Sequence, residues 1–200
     1  MEAHLFLGRA YHNQGNDRQA VDCFTQAVAA LEGVQRRERF GLVFLPAVHA
    51  RAWLAWCHAE LGTFAEGRAL GDEGLRIAEA VAHPASLMNA YLGIGWLAFR
   101  QGDLPRALPL LERAMGICQD AGLLALSTFM AMPLGTAYTL GGRVADALSL
   151  LTAAVRARLQ RCFRGAYPRH AGNGWYANKG EPTGVSAAWR VGQADKVRKT

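Results

Sequence analysis

The side chains that could bind a metal or attack a substrate are dispersed along this 200-residue chain. Among the six histidines, His49, His58 and His83 do not share one helix face at metal-ligand spacing. The four cysteines lie far apart, without the paired spacing of a zinc or redox motif: Cys23, Cys57, Cys118 and Cys162. We therefore expect structural or solvated histidines, cysteines that act as small buried apolar side chains, and no metal site.

The motifs of nucleotide hydrolysis and nucleophilic catalysis are missing from the sequence. The only lysines are Lys179, Lys196 and Lys199, so residues 1–178 lack the Lys-Ser or Lys-Thr that ends a phosphate-binding loop. The sequence contains neither a G-x-S-x-G elbow nor an H-E-x-x-H zinc helix. Gly93-Ile94-Gly95 is similar to part of a dinucleotide loop, but close helix packing explains it better, because it lies inside an amphipathic helical pattern. We predict a non-catalytic protein without a cofactor; an active site assembled from other polar residues is the alternative.

The elements that would position functional side chains form an internal repeat. Four glycines, Gly15, Gly62, Gly102 and Gly142, stand 47, 40 and 40 residues apart, an interval typical of helical-hairpin solenoids. Small residues recur at matched distances from these glycines: Gly8, Ala55, Gly95 and Gly135 seven before; Ala20, Gly67, Ala107 and Ala147 five after; Ala27, Gly74, Ala114 and Ala154 twelve after. Helices approach closely only where side chains are short, so these positions predict helix crossings.

Each repeat unit has the pattern of a helix, a tight turn and a second helix. Apolar residues from Leu104 to Cys118 recur three or four residues apart, which predicts a buried helical stripe. The turn glycines precede side chains able to cap the next helix, for example Asn16, Thr63 and Asp103. The predicted all-α solenoid of about four hairpins has helices near residues 2–14, 17–32, 44–61, 64–81, 84–101, 104–121, 124–140 and 144–160.

Two further local features follow from residue type. Pro109 and Pro133 fall inside predicted helices, where each removes one backbone donor and should kink or loosen a turn. The second unit has Gly67, Gly71 and Gly74 where bulkier residues would pack, so we expect its second helix to be the weakest.

The repeated residues resemble a known motif. Leu7-Gly8, Tyr11, Ala20, Phe24 and Ala27 have the mutual spacing of a tetratricopeptide repeat. Looser matches occur in the third and fourth units, at Ile94-Gly95, Ala107 and Ala114, and at Leu134-Gly135, Tyr138, Ala147 and Ala154. Residues 1–158 are similar to the tetratricopeptide regions that follow an ATPase module in bacterial adenylate/guanylate cyclases and maltose-regulator-type activators. The resemblance implies a right-handed superhelix that binds a peptide, a partner domain or an effector within such a regulator.

In a solenoid of this kind, the first helices of successive units line the concave groove. Positions thirteen, six and two residues before each turn glycine should face it. They nominate Glu2, Arg9, Asn13, His49, Trp56, Glu60, Asn89, Trp96 and Arg100. Stacked tryptophans flanked by charges suit a peptide with an apolar anchor and a charged flank. The alternative for Trp56 and Trp96 is a place in the core.

Charge divides the chain near residue 160. Residues 1–155 carry a net charge of −2 and residues 156–200 a net charge of +8, which together give +6. We expect a repeat domain at residues 1–160 and a basic, glycine-rich tail at residues 161–200. Cations alternate there with aromatics such as Trp175 and Tyr176, a pattern that can hold phosphates and stack bases. Nucleic-acid binding through the tail is the second functional hypothesis; a disordered or aberrant extension is the alternative.

The sequence also bears on membrane insertion, cellular compartment and self-association. The nearly uncharged stretch at residues 123–140 contains Pro133 and Gly135, which disfavour a membrane span. The unpaired cysteines favour a reducing cytoplasm. Met1 falls at the opening of a repeat and the far end lacks a recognisable polar cap, so exposed apolar edges are expected to promote self-association.

Overall fold

The computed structural model describes residues 1–166 of the chain. Within that range it contains a 3-10 helix at Gly33–Arg37 and eight α-helices: α1 (Glu2–Asn13), α2 (Asp17–Ala29), α3 (Pro46–Leu61), α4 (Phe64–Val81), α5 (Pro84–Arg100), α6 (Leu104–Asp120), α7 (Leu124–Leu140) and α8 (Val144–Ala166). The predicted all-α solenoid of four hairpins is confirmed. Among these helices, none has the length and apolar character that crossing a bilayer requires. Most of the predicted tail, and the nucleic-acid contact assigned to it, lies outside the described residues.

Left-handed glycines make the four hairpin turns. Gly15, Gly62, Gly102 and Gly142 have φ between 75° and 83°, a conformation that glycine adopts without strain. Asn16 and Asp103 then cap α2 and α6, each accepting a hydrogen bond from the backbone N–H three residues later. The prediction for Thr63 is wrong, because its hydroxyl donates to the His58 carbonyl and makes no side-chain cap on α4.

One apolar core runs through the hairpins from α1 to α7. Phe24, Leu54 and Leu111 are almost fully buried, and each such side chain stabilises the fold by about 1.5–3 kcal/mol. Helix α3 is central to the first half, since it contacts α1, α2, α4 and α5. The core therefore fixes the relative positions of the first helices, which carry the predicted functional residues.

The glycines of α4 are contact points with its neighbours. A Cβ placed on Gly71 would lie 2.5 Å from Ile94 Cγ2, and one on Gly67 would lie 2.8 Å from Leu97 Cδ1. Their small size therefore lets α4 lie close against α5, and α4 runs unbroken for 18 residues. Helices α6 and α7 likewise continue past Pro109 and Pro133.

The first repeat interval is longer because a structured connector joins α2 to α3. Helix α3 begins at Pro46, two residues later than expected, since proline is favoured in a first turn. The buried guanidinium of Arg51 anchors the connector: its Nη2 lies 3.0 Å from Glu32 Oε1 and 3.1 Å from Glu73 Oε1. Its Nη1 donates to the Ala47 carbonyl at 3.1 Å. This ion cluster ties the connector to both helices of the second hairpin.

Candidate functional site

The predicted groove residues lie on the three first helices, as expected from their repeat positions. Arg9 and Asn13 are on α1, His49, Trp56 and Glu60 on α3, and Asn89, Trp96 and Arg100 on α5. Glu2 opens α1 and is exposed. Arg9, Asn13 and Arg100 are exposed, Asn89 is buried, and the others are half-buried or nearly buried.

Several of these residues pair across α3 and α5. His49 Nδ1 lies 3.2 Å from Asn89 Oδ1. Trp96 Nε1 donates to Glu60 Oε1 at 3.2 Å, and Arg100 forms an ion pair with the same carboxylate. The hydrogen-bonding groups at these positions are therefore satisfied by neighbouring units of the repeat.

A row of aromatic rings crosses the helices that carry the site. Successive ring centroids lie 6.0 Å apart from Phe24 to Trp53, then 5.1 Å to Trp56, 5.0 Å to Trp96 and 4.9 Å to Phe99. Trp56 is only 8% exposed and Trp96 is half-buried. The row joins α2, α3 and α5, and it leaves Trp56 little surface for a ligand.

An open apolar pocket lies between α1 and the start of α3. Its cavity volume is about 150 Å³. The lining residues are Leu5, Phe6, Arg9, Leu42, Val43, Phe44, Pro46 and His49. Phe6 and Val43 are 60% and 59% exposed, so large apolar surface borders the opening. Two predicted groove residues, Arg9 and His49, meet here.

Arg9 supplies the positive charge of this pocket. Its Cζ lies 5.6 Å from the ring centroid of Trp53, a cation–π distance. Among the described residues, no carboxylate forms an ion pair with Arg9. A guanidinium in this state is able to accept a carboxylate from a ligand.

His49 forms the inner wall of the pocket in its neutral state. Its ring stacks on Phe44, with centroids 5.0 Å apart and planes 3° apart. The pKa of His49 is lowered to about 4, mainly because the ring is buried. The hydrogen bond that the ring makes to Asn89 Oδ1 opposes this shift, and the nearby Arg9 charge adds to it. At neutral pH the pocket therefore has one cation at its rim and an uncharged imidazole inside.

Sequence reasoning missed the pocket residues Leu42, Val43 and Phe44. They lie in the connector before α3, outside the repeat pattern that was used to nominate groove residues. The signal that could have found them is the 47-residue first interval, which has seven more residues than the others and contains this apolar run.

His12, Asp17 and Cys57 also meet, although the spacing of the histidines and cysteines did not predict it. His12 Nδ1 lies 2.6 Å from Asp17 Oδ1 and 3.7 Å from Cys57 Sγ. A nucleophilic triad needs the acid and the nucleophile on opposite ring nitrogens, whereas here both face Nδ1. Burial, followed by the Asp17 charge, raises the pKa of the Cys57 thiol well above its usual range, so it is a poor nucleophile.

Comparison with known families agrees with the repeat pattern. Two tetratricopeptide repeat models match the sequence, one at residues 48–120 and the other at residues 3–38. Among curated proteins, none matches the sequence significantly.

Solved structures share the fold at low sequence identity. BtubC (BKLC) from P. vanneervenii has a TM-score of 0.60 and 19% identity, over 89% of this chain and 70% of that one. A putative kinesin light chain from Podosopora anserina has a TM-score of 0.58 and 18% identity, over 84% and 77%. A Rap protein complexed with Competence and Sporulation Factor has a TM-score of 0.64 and 14% identity, over 78% of this chain and 43% of that one. These identities show the fold alone, and the chain spans less than half of the Rap protein.

Proposed function

We propose that this chain, which carries a tetratricopeptide repeat region, binds an extended segment of a partner protein at the pocket between α1 and α3. The segment has an apolar side chain that enters the cavity and a neighbouring carboxylate that pairs with Arg9. The observation that carries this proposal is the exposed guanidinium of Arg9, which has no ion-pair partner within residues 1–166 and lies at the rim of an apolar cavity.

The dimensions of the pocket suit one large apolar side chain. An apolar cavity of about 150 Å³ admits a ring the size of benzene. Burying such a side chain contributes about 1.5–3 kcal/mol, and a hydrogen-bonded charge pair contributes a similar amount. Both contacts are needed for specific recognition, because the cavity alone discriminates poorly among apolar groups.

The remaining groove candidates extend the surface along α3 and α5. Glu60 is already paired with Trp96 and Arg100, so this end offers mainly the half-exposed rings of Trp96 and Phe99. We assign Trp96 and Phe99, together with the exposed Asn13, to the flanking contacts of the bound segment. Trp56 and Asn89 are nearly buried, so they support this surface from within the fold.

The ligand class is supported by one structural relative. The Rap protein of similar fold is complexed with Competence and Sporulation Factor. We infer the corresponding kind of ligand here, a peptide or protein segment. A non-catalytic role remains part of the proposal, since the His12, Asp17 and Cys57 geometry does not form a nucleophilic relay.

Fluorescence anisotropy with the full chain tests the proposal. Labelled ten-residue peptides carry Leu, Phe or Trp next to Glu, or next to Gln as the uncharged match. We expect the Glu peptides to bind and Arg9→Gln to weaken them by about 10- to 100-fold, the effect of one charged hydrogen bond.

Arg18→Gln is the matched control, because Arg18 is also exposed and lies on α2, away from the pocket. It should leave binding unchanged. Equal affinity for Glu and Gln peptides, or equal loss in both arginine variants, would show that Arg9 is not the recognition cation. Loss in Trp96→Ala with full binding by Arg9→Gln would move the site to α5.

The regulatory setting rests on the sequence resemblance alone. We propose that the chain acts in the cytoplasm as part of an ATPase-linked signalling or transcriptional regulator, where occupancy of the groove biases the ATPase between two states. Purification of the endogenous protein at native stoichiometry tests this, and the absence of any ATPase domain in its assembly would reject it.

Self-association is the second part of the partner proposal. An apolar stripe of exposed side chains follows α8 at steps of three or four residues: Val144, Leu148, Leu151, Val155 and Leu159. We propose that a second copy covers this stripe. Sedimentation velocity should show a concentration-dependent dimer that Leu148→Glu abolishes and Leu7→Glu, at an exposed leucine of α1, does not.

A further inference from the structure

Three helices bring different ligand atoms to one point beside the aromatic row. His12 lies in the last turn of α1, Asp17 opens α2, and Cys57 lies in α3. Their ligand atoms, His12 Nδ1, Asp17 Oδ1 and Cys57 Sγ, all lie within 4.8 Å of one another.

The two observed contacts of this cluster meet at one atom. Nδ1 of a neutral imidazole carries at most one hydrogen, yet Nδ1 of His12 faces both the carboxylate oxygen and the sulfur. A cation placed between the three atoms contacts all of them at once. The site thus has the convergence of a coordination sphere, with one nitrogen, one oxygen and one sulfur donor.

The nitrogen–sulfur distance is close to that of a tetrahedral zinc site, and the nitrogen–oxygen distance is shorter. Zinc bonds of about 2.0–2.3 Å place adjacent nitrogen and sulfur ligands ~3.6 Å apart, and adjacent nitrogen and oxygen ligands ~3.3 Å apart. The nitrogen and sulfur of His12 and Cys57 are 3.7 Å apart. The Asp17 oxygen, at 2.6 Å from the nitrogen, needs to move outward by about 0.7 Å, within reach of a side-chain rotation in a first turn.

Burial and neighbouring aromatic rings hold these three ligands in place, and the charge of the site favours a cation. Cys57 is fully buried, and the side chains of His12 and Asp17 are only 14% and 13% exposed. The rings of Trp53 and Trp56 pack in T-shaped contact with the His12 ring, with centroids 5.2 and 5.6 Å away. Asp17 supplies a negative charge among these ligands, and this charge attracts a cation.

We propose that His12, Asp17 and Cys57 bind one divalent transition-metal ion of the zinc class, with water as the fourth ligand. On binding, Sγ bonds to the metal and its proton leaves to solvent, while Nδ1 and Oδ1 give lone pairs; no oxidation or reduction occurs. The mixed donor set suits Zn²⁺ or Co²⁺ better than Mg²⁺ or Ca²⁺, which prefer oxygen alone.

The ion would join the first two hairpins at their contact. Its ligands come from α1, α2 and α3, and the Trp53 ring that packs on His12 also lies under Arg9. Metal binding would thus fix the aromatic wall next to the proposed peptide pocket.

Cobalt spectroscopy of the full, untagged chain tests the proposal. Titration with CoCl₂ should give the near-ultraviolet charge-transfer band of a thiolate–Co²⁺ bond and the strong visible bands of a tetrahedral site, saturating at one ion per chain. ZnCl₂ should displace the colour. Cys57→Ser should abolish the charge-transfer band, whereas Cys118→Ser and Cys162→Ser should retain it.

Asp17→Asn keeps the test decisive if the buried Cys57→Ser variant does not fold. Its circular dichroism should equal that of the unchanged chain. Its Co²⁺ affinity should fall by more than about tenfold, since even groups outside a ligand set change metal affinity 10- to 100-fold. The absence of a charge-transfer band in the unchanged chain, its survival in Cys57→Ser, or undiminished affinity in Asp17→Asn would each overturn the proposal.

Discussion

The closest backbone approach recorded at a glycine of α5 gives the sharpest stability prediction. Gly93 of α5 faces Ala52 of α3, and a Cβ on Gly93 would lie 2.9 Å from Ala52 Cα, 3.0 Å from its Cβ and 3.0 Å from its carbonyl oxygen. Ordinary contacts of this kind are 3.4–4 Å long. Because two of the three atoms are backbone, Gly93→Ala can be accommodated only by separating α3 from α5.

The expected change in the free energy of unfolding of Gly93→Ala is the difference between two opposing effects. Overpacking of a core typically costs about 1–3 kcal/mol, and a gap of 0.5–1 Å forfeits a quarter to a half of each dispersion contact across it. We take about 3 kcal/mol for the separation, because α3 and α5 bury an extensive shared surface. Replacement of glycine by alanine in a helix interior returns about 1 kcal/mol. The net loss is about 2 kcal/mol, which corresponds to a Tm about 4–8 °C lower for a chain of this size.

Urea denaturation followed by circular dichroism measures this difference. Gly116→Ala is the matched control, because Gly116 also lies inside a helix but a Cβ there meets nothing within 4 Å. That variant should gain up to about 1 kcal/mol from propensity alone. If Gly93→Ala proves as stable as the unchanged chain, or the two variants shift together, the close approach of α3 and α5 does not limit the fold.

Three further predictions concern buried polar groups and the aromatic row. The pKa of His49 is lowered from 6.5 to about 4, so the unfolded chain takes up a proton first as the pH falls. The free energy of unfolding measured in urea should therefore fall by roughly 3 kcal/mol between about pH 6.5 and pH 4, and His49→Gln should flatten that part of the profile. Arg51→Ala should destabilise by about 2–4 kcal/mol in the same assay, while Arg18→Ala changes stability by less than about 0.5 kcal/mol. Trp56→Ala should lower stability by about 3–5 kcal/mol because the ring is nearly buried, and equal helicity and Tm would instead assign it to the groove surface.

The fold was predictable because its strongest signals are local and repeated. The four turn glycines were identified by their spacing, and all four have the positive φ that a side chain would resist. Most predicted helix boundaries lie within about three residues of those observed. The main differences between prediction and structure lie outside the regular repeat. They are the 3-10 helix and connector before α3, and α8, which continues through Ala166 instead of ending near residue 160.

The candidate site was only partly predictable, because its contacts join distant residues of unlike type. His12 and Cys57 are 45 residues apart, and neither belongs to a metal-spacing motif. The cavity walls come from a connector that has no counterpart in the other units. The cluster and the cavity both depend on the direction in which individual side chains point. Hydrophobic periodicity gives no information about that direction.

Repeat spacing nevertheless predicts more than which residues face the groove, because it also predicts which of them contact each other. Equivalent residues of the second and third units lie side by side: His49 contacts Asn89, Trp56 contacts Trp96, and Glu60 contacts Arg100. Glu60 meets Arg100, which has the opposite charge, and the two form an ion pair. The counterpart of Arg9 in the second unit is Trp56, an aromatic ring that cannot neutralise a guanidinium. Chemical mismatch between equivalent positions therefore leaves a charge for a partner, and on this principle the α1 end of the groove, rather than the tryptophan pair, is where a carboxylate should bind.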